Sequence, residues 1–238
     1  MVRDLVQRFV ADELMPLEGA VLAREAAGGD PELTTQERVR LDAISKEMGL
    51  WSLDAPVEDG GMGLPHVALV AVNEALGSTV AKYTLPPDSP NLRMLAATVD
   101  ERQRAAYLQP YARGETISAI GISEPGAGAD PAGMKTKAAR DGDDWIINGR
   151  KIWITRAAEA DFTILMAVSQ DPDAPADPKG RAQMSAFLVD RDTPGFNVLR
   201  RIPMIGGEYT YEVALEDCRV PGWKLLGKQG QGFGPMQV

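Results

Sequence analysis

The sequence predicts an α+β protein of two domains, an N-terminal all-α domain followed by an antiparallel β-barrel or β-sandwich domain. Two features of the chain predict this order. Residues 1–115 carry apolar side chains at the spacing of helix faces, with helix-starting and helix-ending residues between them. Residues 116–228 instead contain short runs of β-branched and aromatic residues that are separated by turn residues.

Local signals justify the helices of residues 1–115. Thr34 and Glu37 have the spacing of a capping box, in which each side chain bonds the backbone of the other residue. Gly49 fits the end of the helix that this box begins. Asp100 and Gln103 mark the start of a further helix, which is expected to run almost to the end of the domain.

Short apolar runs justify the strands of the second domain, and these runs are 116–122, 144–147, 152–155, 162–168, 184–189 and 209–215. Turn residues lie between them, and Asn148-Gly149 is the strongest signal for a two-residue hairpin. Asp141-Gly142 and Gly206-Gly207 are expected to be turns as well. Residues 171–180 are rich in proline and aspartate and predict an exposed loop.

Composition narrows the class of protein. The 238 residues are 44% hydrophobic and 25% charged, as in globular proteins, and the net charge of −9 argues against nucleic-acid binding. No apolar run approaches the roughly 18 residues of a membrane span. The opening MVRDLVQRFV carries Asp4 among its apolar residues, unlike a secretory or mitochondrial leader. If residue 1 is the natural start, a cytoplasmic protein is expected.

Most catalytic and ligand-binding motifs are missing from the sequence. His66 is the only histidine and Cys218 the only cysteine, so neither a zinc site nor a Ser/His/Asp triad away from His66 can form. His66 follows a proline at a predicted helix start, where a surface or capping role is favoured, and Cys218 is expected to be a buried structural thiol. Rossmann and P-loop glycine motifs are absent as well. No metal site is expected.

Two segments of the β domain carry the remaining candidates. The first is a glycine-rich turn, SEPGAGAD at 123–130, whose glycines allow backbone amides to approach a ligand. The second is INGRKIWIT at 147–155, where Trp153 and Thr155 fall on one strand face and together could contact an aromatic cofactor. The alternatives are an ordinary turn in the first segment, and a core tryptophan with a satisfied threonine in the second.

Together and in this order, these segments resemble the acyl-CoA dehydrogenase family, which has a TEP-x-AGSD-type motif followed by an I-NG-K-WIT motif. The resemblance extends over essentially the whole chain. It includes VEDGGMGL at 57–64, DERQRAAYLQPYARGE at 100–115, DTPGF at 192–196 and the segment 216–233. The family fold begins with a helical domain and a middle β domain, which matches the organisation predicted from the residues. A C-terminal helical bundle follows them in the family.

The resemblance implies that the β domain holds the flavin ring of FAD. The residues it assigns to this ring are Ile120, Ile122, Ser123, Trp153, Ile154 and Thr155, with the Thr155 hydroxyl expected near flavin N5. It also assigns Gly128 and Ala129 to the contact with the thioester ligand. Ala129 stands where the family usually has serine, so these substrate contacts are expected to differ.

The implied reaction is α,β-dehydrogenation of an acyl-CoA thioester to enoyl-CoA, with electron-transfer flavoprotein as the electron acceptor. The family's catalytic base is a glutamate of the C-terminal bundle. Residues 229–238 look like the start of that bundle and the rest of it is not in this sequence, so no catalytic residue is assigned here. Glu124 belongs to the loop framework in the family pattern. A homo-oligomer, dimer or tetramer, is expected if the C-terminal domain exists.

Two alternatives remain open at this point. Relatives of the fold act as acyl-CoA oxidases, nitroalkane oxidases or flavin-dependent monooxygenases, which differ from dehydrogenases in how the reduced flavin reacts with oxygen. A non-catalytic subunit that needs a full-length partner is the other alternative. The acyl chain of the substrate is not indicated by the sequence.

Overall fold

The computed structural model describes residues 1–87, 91–130, 133–172, 183–204 and 209–234. The chain forms two compact units. The first consists mainly of Met1–Asp88 and Gln109–Glu115, and the second of Ser89–Leu108, Thr116–Met204 and Tyr209–Val238. The domain boundaries at residues 115 and 228 stay predictions. The predictions for 171–180, Gly206-Gly207 and 229–238 lie wholly or partly outside the described residues.

The first unit is helical, as predicted. Its helices are α1 (Val2–Phe9), α2 (Glu18–Ala26), α3 (Thr35–Glu47), α4 (His66–Leu76) and α7 (Gln109–Ala112), which closes this unit from further along the chain. Phe9 and Leu41 are fully buried in one apolar cluster, and the Phe9 ring packs on Tyr83 with centroids 5.5 Å apart. His66 is exposed at the first position of α4, in agreement with the surface role predicted for it.

The predicted capping box begins α3. The Glu37 amide donates to the Thr34 hydroxyl at 3.2 Å, and the Thr34 amide donates to the Glu37 carboxylate at 2.7 Å. The helix ends before Gly49, whose φ of +70° suits glycine. The box at Asp100 and Gln103 forms as well, so both helix starts are determined by residues three positions apart.

Replacing Thr34 with alanine is expected to lower the free energy of unfolding by about 1 kcal/mol, because the Glu37 amide loses its acceptor at the helix start. The comparison is Thr35→Ala, which changes an exposed threonine inside the same first turn. Urea titration followed by circular dichroism measures both variants. Equal losses would show that the Thr34 cap does not stabilise the helix.

In the described residues, the second unit contains two short α-helices, a π-helical turn (Arg104–Leu108), a 3-10 turn (Gly222–Lys224) and one sheet. The helices are α5 (Asn91–Ala96) and α6 (Glu101–Gln103). The strands in the described residues are β1 (Ser118–Gly121), β2 (Lys137–Asp141), β3 (Asp144–Thr155), β4 (Phe162–Gln170), β5 (Met184–Asp190), β6 (Phe196–Pro203), β7 (Tyr209–Pro221) and β8 (Leu225–Leu226). The predicted α+β class, helices first and sheet second, is thereby confirmed.

The sheet has the order β6-β7-β3-β2-β4-β5-β8, and β1 pairs with β4 outside this path. Most pairings are antiparallel, as expected, but β1 and β2 each run parallel to β4. A parallel pair needs a crossover of a dozen or more residues. The β2–β3 hairpin and the turn after β3 supply it, because β3 intervenes in the chain before β4 begins.

One turn prediction is wrong. Asn148-Gly149 lies inside β3, which is continuous from Asp144 to Thr155. The β3–β7 register shifts between Ile147 and Gly149, where β3 advances two residues and β7 advances three, so Asn148-Gly149 lies opposite a bulge of β7 and not in a hairpin turn. Asn148 exchanges two hydrogen bonds with Asp217 across this bulge, at 2.9 and 2.8 Å. The hairpin turn lies earlier, at Gly142-Asp143, one residue beyond the start of the predicted turn at Asp141-Gly142.

Alternate side chains of β3 build the core of the sheet. Trp145 and Ile147 are fully buried, and the Trp145 ring meets Phe187 edge to face with centroids 5.4 Å apart. Cys218 on β7 is buried in the same cluster, in agreement with the structural thiol predicted from the sequence, and burial raises its pKa to about 11. β3 therefore has one face fixed in the core along its first half.

Candidate functional site

A tight turn follows β1 at the edge of the candidate site. Glu124 and Ala127 close it with two backbone hydrogen bonds, from the Glu124 amide at 2.9 Å and from the Ala127 amide at 3.1 Å. A Cβ added at Gly126 or Gly128 would meet nothing within 4 Å. Gly128 and Ala129 are exposed. The outer side of the glycine-rich loop is therefore open to a ligand.

Trp153 lies on a bulge of β3, opposite β7. The register shifts between Lys151 and Ile154, and Trp153 has a φ of +63°, which is rare for any residue other than glycine. Its side chain is 53% exposed, so the alternative of a core tryptophan is excluded. Thr155 is exposed as well. Residues held in sparsely populated backbone conformations cluster at active sites and ligand-binding sites.

The structure brings the loop and the Trp153 bulge together. The Ile152 amide donates to the Ser123 carbonyl at 3.0 Å, which joins the exit of β1 to the residue before Trp153. Ile122 and Ser123 are both partly buried at this junction. The predicted residues on the loop side and on the β3 side are thus neighbours, although roughly thirty positions separate them in sequence.

Ile120 is partly buried, like Ile122 and Ser123, whereas Ile154 is fully buried. Ile120 lies within β1, partly buried, and faces Ile164 of β4 in the parallel register. Ile154 is buried in the core, and its side chain lies 3.4 Å from the place of a Cβ on Gly121. Ile154 is therefore committed to the core as a whole residue, unlike the exposed Trp153 and Thr155 on either side of it.

Glu124 is the centre of a buried polar network. Its carboxylate accepts hydrogen bonds from the Lys135 amide at 2.7 Å, the Thr136 amide at 2.9 Å and the Lys151 ammonium at 2.9 Å. Burial acts to raise the pKa of Glu124, but these hydrogen bonds outweigh it and hold the pKa below its ordinary value. A carboxylate engaged in this way is a poor general base, which agrees with the framework role expected for it.

Lys151 is the functional-region residue that sequence reasoning missed. It is fully buried and donates to the Ile122 carbonyl and to Glu124, both at 2.9 Å. The signal was present in the alternation of β3, because Trp145, Ile147 and Lys151 occupy positions of the same parity. Burial lowers the pKa of Lys151 to about 8, although Glu124 acts to raise it.

The described residues form neither a metal-binding cluster nor a membrane-spanning helix. No group of three or more histidine, cysteine, aspartate or glutamate side chains is placed to hold a metal ion in the described ranges. None of the helices in the described part of the chain combines the length and apolar character that crossing a bilayer requires.

A helical unit and a unit built on a mixed sheet define an α+β protein, in which an open glycine-rich loop lies beside an exposed indole. Family models describe the same two parts: residues 1–115 match "Acyl-CoA dehydrogenase, N-terminal domain" and residues 119–218 match "Acyl-CoA dehydrogenase, middle domain". The chain belongs to the acyl-CoA dehydrogenase family.

Individual relatives agree with this family. The chain is 36% identical over 245 residues to (R)-benzylsuccinyl-CoA dehydrogenase of Thauera aromatica, covering 100% of this chain and 59% of that protein. An acyl-CoA dehydrogenase complexed with FAD from Bacillus anthracis superimposes with a TM-score of 0.76 at 27% identity, covering 100% of this chain and 38% of that one.

A further chain comes from the structure described as electron transferring flavoprotein of Acidaminococcus fermentans. It superimposes with a TM-score of 0.77 at 29% identity, covering 99% of this chain and 59% of that one. The 238 residues thus span about three fifths of the first of these relatives, so the likeness concerns their helical and β-sheet parts.

Proposed function

We propose that the protein takes part in FAD-dependent α,β-dehydrogenation of an acyl-CoA thioester to enoyl-CoA. The observation that carries the proposal is the half-exposed indole of Trp153, held on a bulge at positive φ next to an open glycine-rich loop. A protein that keeps an aromatic ring exposed in a strained conformation needs a compensating interaction, and stacking on a planar ring supplies it.

The residues present fit the flavin ring. Trp153 offers an aromatic surface, and Thr155 offers an exposed hydroxyl on the same strand. Ser123 and Ile122 lie beside them at the exit of β1, and Ile120 is within that strand. These side chains would orient the ring and exclude water from it, and Ile154 would support them from the core. When bound, FAD supplies the acceptor for the hydride that leaves the β-carbon of the substrate.

The thioester is proposed to bind at the loop, where the exposed backbone of Gly128 and Ala129 is accessible. Glu124 is excluded as the base because its carboxylate is occupied by Lys135, Thr136 and Lys151. Removal of the α-proton is therefore not assigned to Glu124 or to any other candidate residue of this site. The proposed electron acceptor is electron-transfer flavoprotein, and the likeness to the Acidaminococcus fermentans chain supports this acceptor. The protein is proposed to be a cytoplasmic homo-oligomer.

The natively purified protein is expected to show a flavin absorption band that bleaches when an acyl-CoA is added without oxygen. Trp153→Ala is expected to raise the Kd for FAD by about tenfold or more, since losing one stacking contact costs about 1.4 kcal/mol. Leu199→Ala is the matched control, because Leu199 is also exposed on the sheet unit but lies on β6, away from the loop.

Three outcomes would count against this function. A protein without flavin, and without affinity for added FAD, contradicts the cofactor. A bound flavin that no acyl-CoA bleaches contradicts the substrate class. Bleaching followed by rapid reoxidation in air, with hydrogen peroxide released, would assign the protein to the oxidases of the same fold instead of the dehydrogenases.

A further inference from the structure

Lys151 and Glu124 form a charged pair that is buried in the sheet unit. Lys151 has no exposed surface, and lysine is almost never fully buried unless it is paired. Its ammonium nitrogen donates to two acceptors on one chain segment, the Ile122 carbonyl and the Glu124 carboxylate. The two residues are 27 positions apart in sequence, so only the folded sheet unit brings them together.

Glu124 connects three separate stretches of the chain through hydrogen bonds to its carboxylate and backbone. One oxygen accepts from Lys151 of β3 and from the Thr136 amide, and the other accepts from the Lys135 amide just before β2. The residue itself begins the turn to Ala127, which carries the open glycines of the loop. The start of the loop, its return and the neighbouring strand are therefore tied to a single side chain.

Stability alone does not account for such a pair. Removing two charges from water is costly, and well-packed apolar residues often replace a buried ion pair without loss of stability. The pair instead adjoins both halves of the candidate site. Ile122 and Ser123 immediately precede Glu124, and Trp153 follows Lys151 by two positions, with the Ile152 amide bonded to Ser123 at 3.0 Å.

We propose that Lys151 and Glu124 are positioning residues, which hold the loop 123–130 at a fixed distance from the Trp153 bulge so that a flavin ring fits between them. The inference rests on the proposed function for the identity of the ligand. It adds that affinity for the ring depends on a buried charge pair that does not touch the ring. The contacts of Lys151 set the position of the Ile122 carbonyl, and those of Glu124 set the start and the return of the loop.

Lys151→Met tests the proposal, because methionine keeps the length of the side chain and removes its charge and donors. Glu124→Gln combined with Lys151→Met is the second variant and leaves no unpaired charge in the core. Lys137→Met, at an exposed lysine of β2, is the matched control. Hydrogen exchange of the FAD-free proteins reports the loop itself, and titration with FAD, with the visible circular dichroism of the bound flavin, reports the ligand.

If the proposal is right, the amides of Ala127, Lys135 and Thr136 exchange at least tenfold faster in both site variants, while amides in β4 and β5 keep their rates. The Kd for FAD rises at least tenfold, and the dichroism of any bound flavin changes. Lys137→Met matches the parent protein in all three measurements. The melting temperature of each variant separates loss of positioning from loss of the fold.

Each other result has a definite meaning. Unchanged exchange in the loop overturns the proposal whether or not FAD binds, and so does an unchanged Kd in a folded variant. Failure of the double variant to fold also overturns it, because the pair would then be a requirement of the fold. If the parent protein does not bind FAD but the loop still exchanges faster in the two site variants than in the parent, the positioning role stands and the flavin is refuted as its purpose.

Discussion

Replacing Trp145 with alanine is expected to lower the free energy of unfolding by about 3–5 kcal/mol. Trp145 is only 1% exposed, and its ring contacts Phe187 edge to face at 5.4 Å between centroids. The Arg140 guanidinium also lies over the ring, 5.1 Å from its centroid. Alanine would leave a cavity where β2, β3 and β5 meet, and the strands around it are too constrained by their pairing to close it.

Trp153→Ala is the matched control for this loss of stability, because both tryptophans lie on β3 and only Trp145 is buried. Its expected cost is below about 1 kcal/mol, as is usual for exposed positions. Chemical denaturation followed by circular dichroism compares the two. Similar losses in both variants would contradict the assignment of Trp145 to the core and of Trp153 to the surface of the site.

Trp145→Phe refines the same expectation. The indole nitrogen of Trp145 is buried and has no hydrogen-bond partner, which is an unfavourable arrangement for a donor. Phenylalanine removes that donor and keeps an aromatic ring against Phe187. We therefore expect a smaller loss than for alanine, and a loss as large as that of alanine would show that the full indole volume is required.

Gly149→Ala is expected to cost about 3 kcal/mol or more, since it adds a steric clash to backbone strain. A Cβ at this position would lie 2.3 Å from the Thr136 hydroxyl and 2.6 Å from the Thr136 Cα. Neither atom can move away easily, because the β2–β3 pairing begins at the next residue pair, Lys137 with Asn148. The φ of Gly149, +156°, is also outside the range that residues with a side chain prefer.

Gly19→Ala provides the control for this glycine. Gly19 is exposed in α2, and an added Cβ meets nothing within 4 Å. Alanine in a helix is favoured over glycine, so this change should stabilise the protein by about 0.5–1 kcal/mol. A calorimetric melting temperature that falls for Gly149→Ala and rises slightly for Gly19→Ala is the expected pair. A fully tolerated Gly149→Ala would mean that the bulge can rearrange.

The capping box predicted at Thr34 and Glu37 is present in the structure, whereas the turn predicted at Asn148-Gly149 is not. The capping box forms because both partners are in one helical turn, so no distant residue can change the result. Asn148-Gly149 has strong turn chemistry, but pairing with β7 and contact with Thr136 carry the chain straight through it. Local preference was overridden by the register of a long strand.

β6 illustrates a second limit. The sequence does not predict a strand at Phe196–Pro203, because Leu199, Arg200 and Arg201 break the apolar alternation. In the structure, all three residues are exposed. The strand lies at the edge of the sheet order, with its partner β7 on one side. An edge strand needs little apolar character, and charged residues there discourage unwanted pairing. Its position follows from the pairing with β7 and not from its own sequence.

The sequence by itself determined the order of a helical domain before a β domain, both capping boxes, the glycine-rich loop and the family resemblance. All of these depend on residue type and short spacing, which act before the chain is folded. The tertiary structure decided the parallel pairings of β1 and β2 with β4, the exposure of Trp153 on a bulge and the burial of Lys151 against Glu124. Such features depend on contacts between distant residues, whose register is set only when the whole sheet closes over its core.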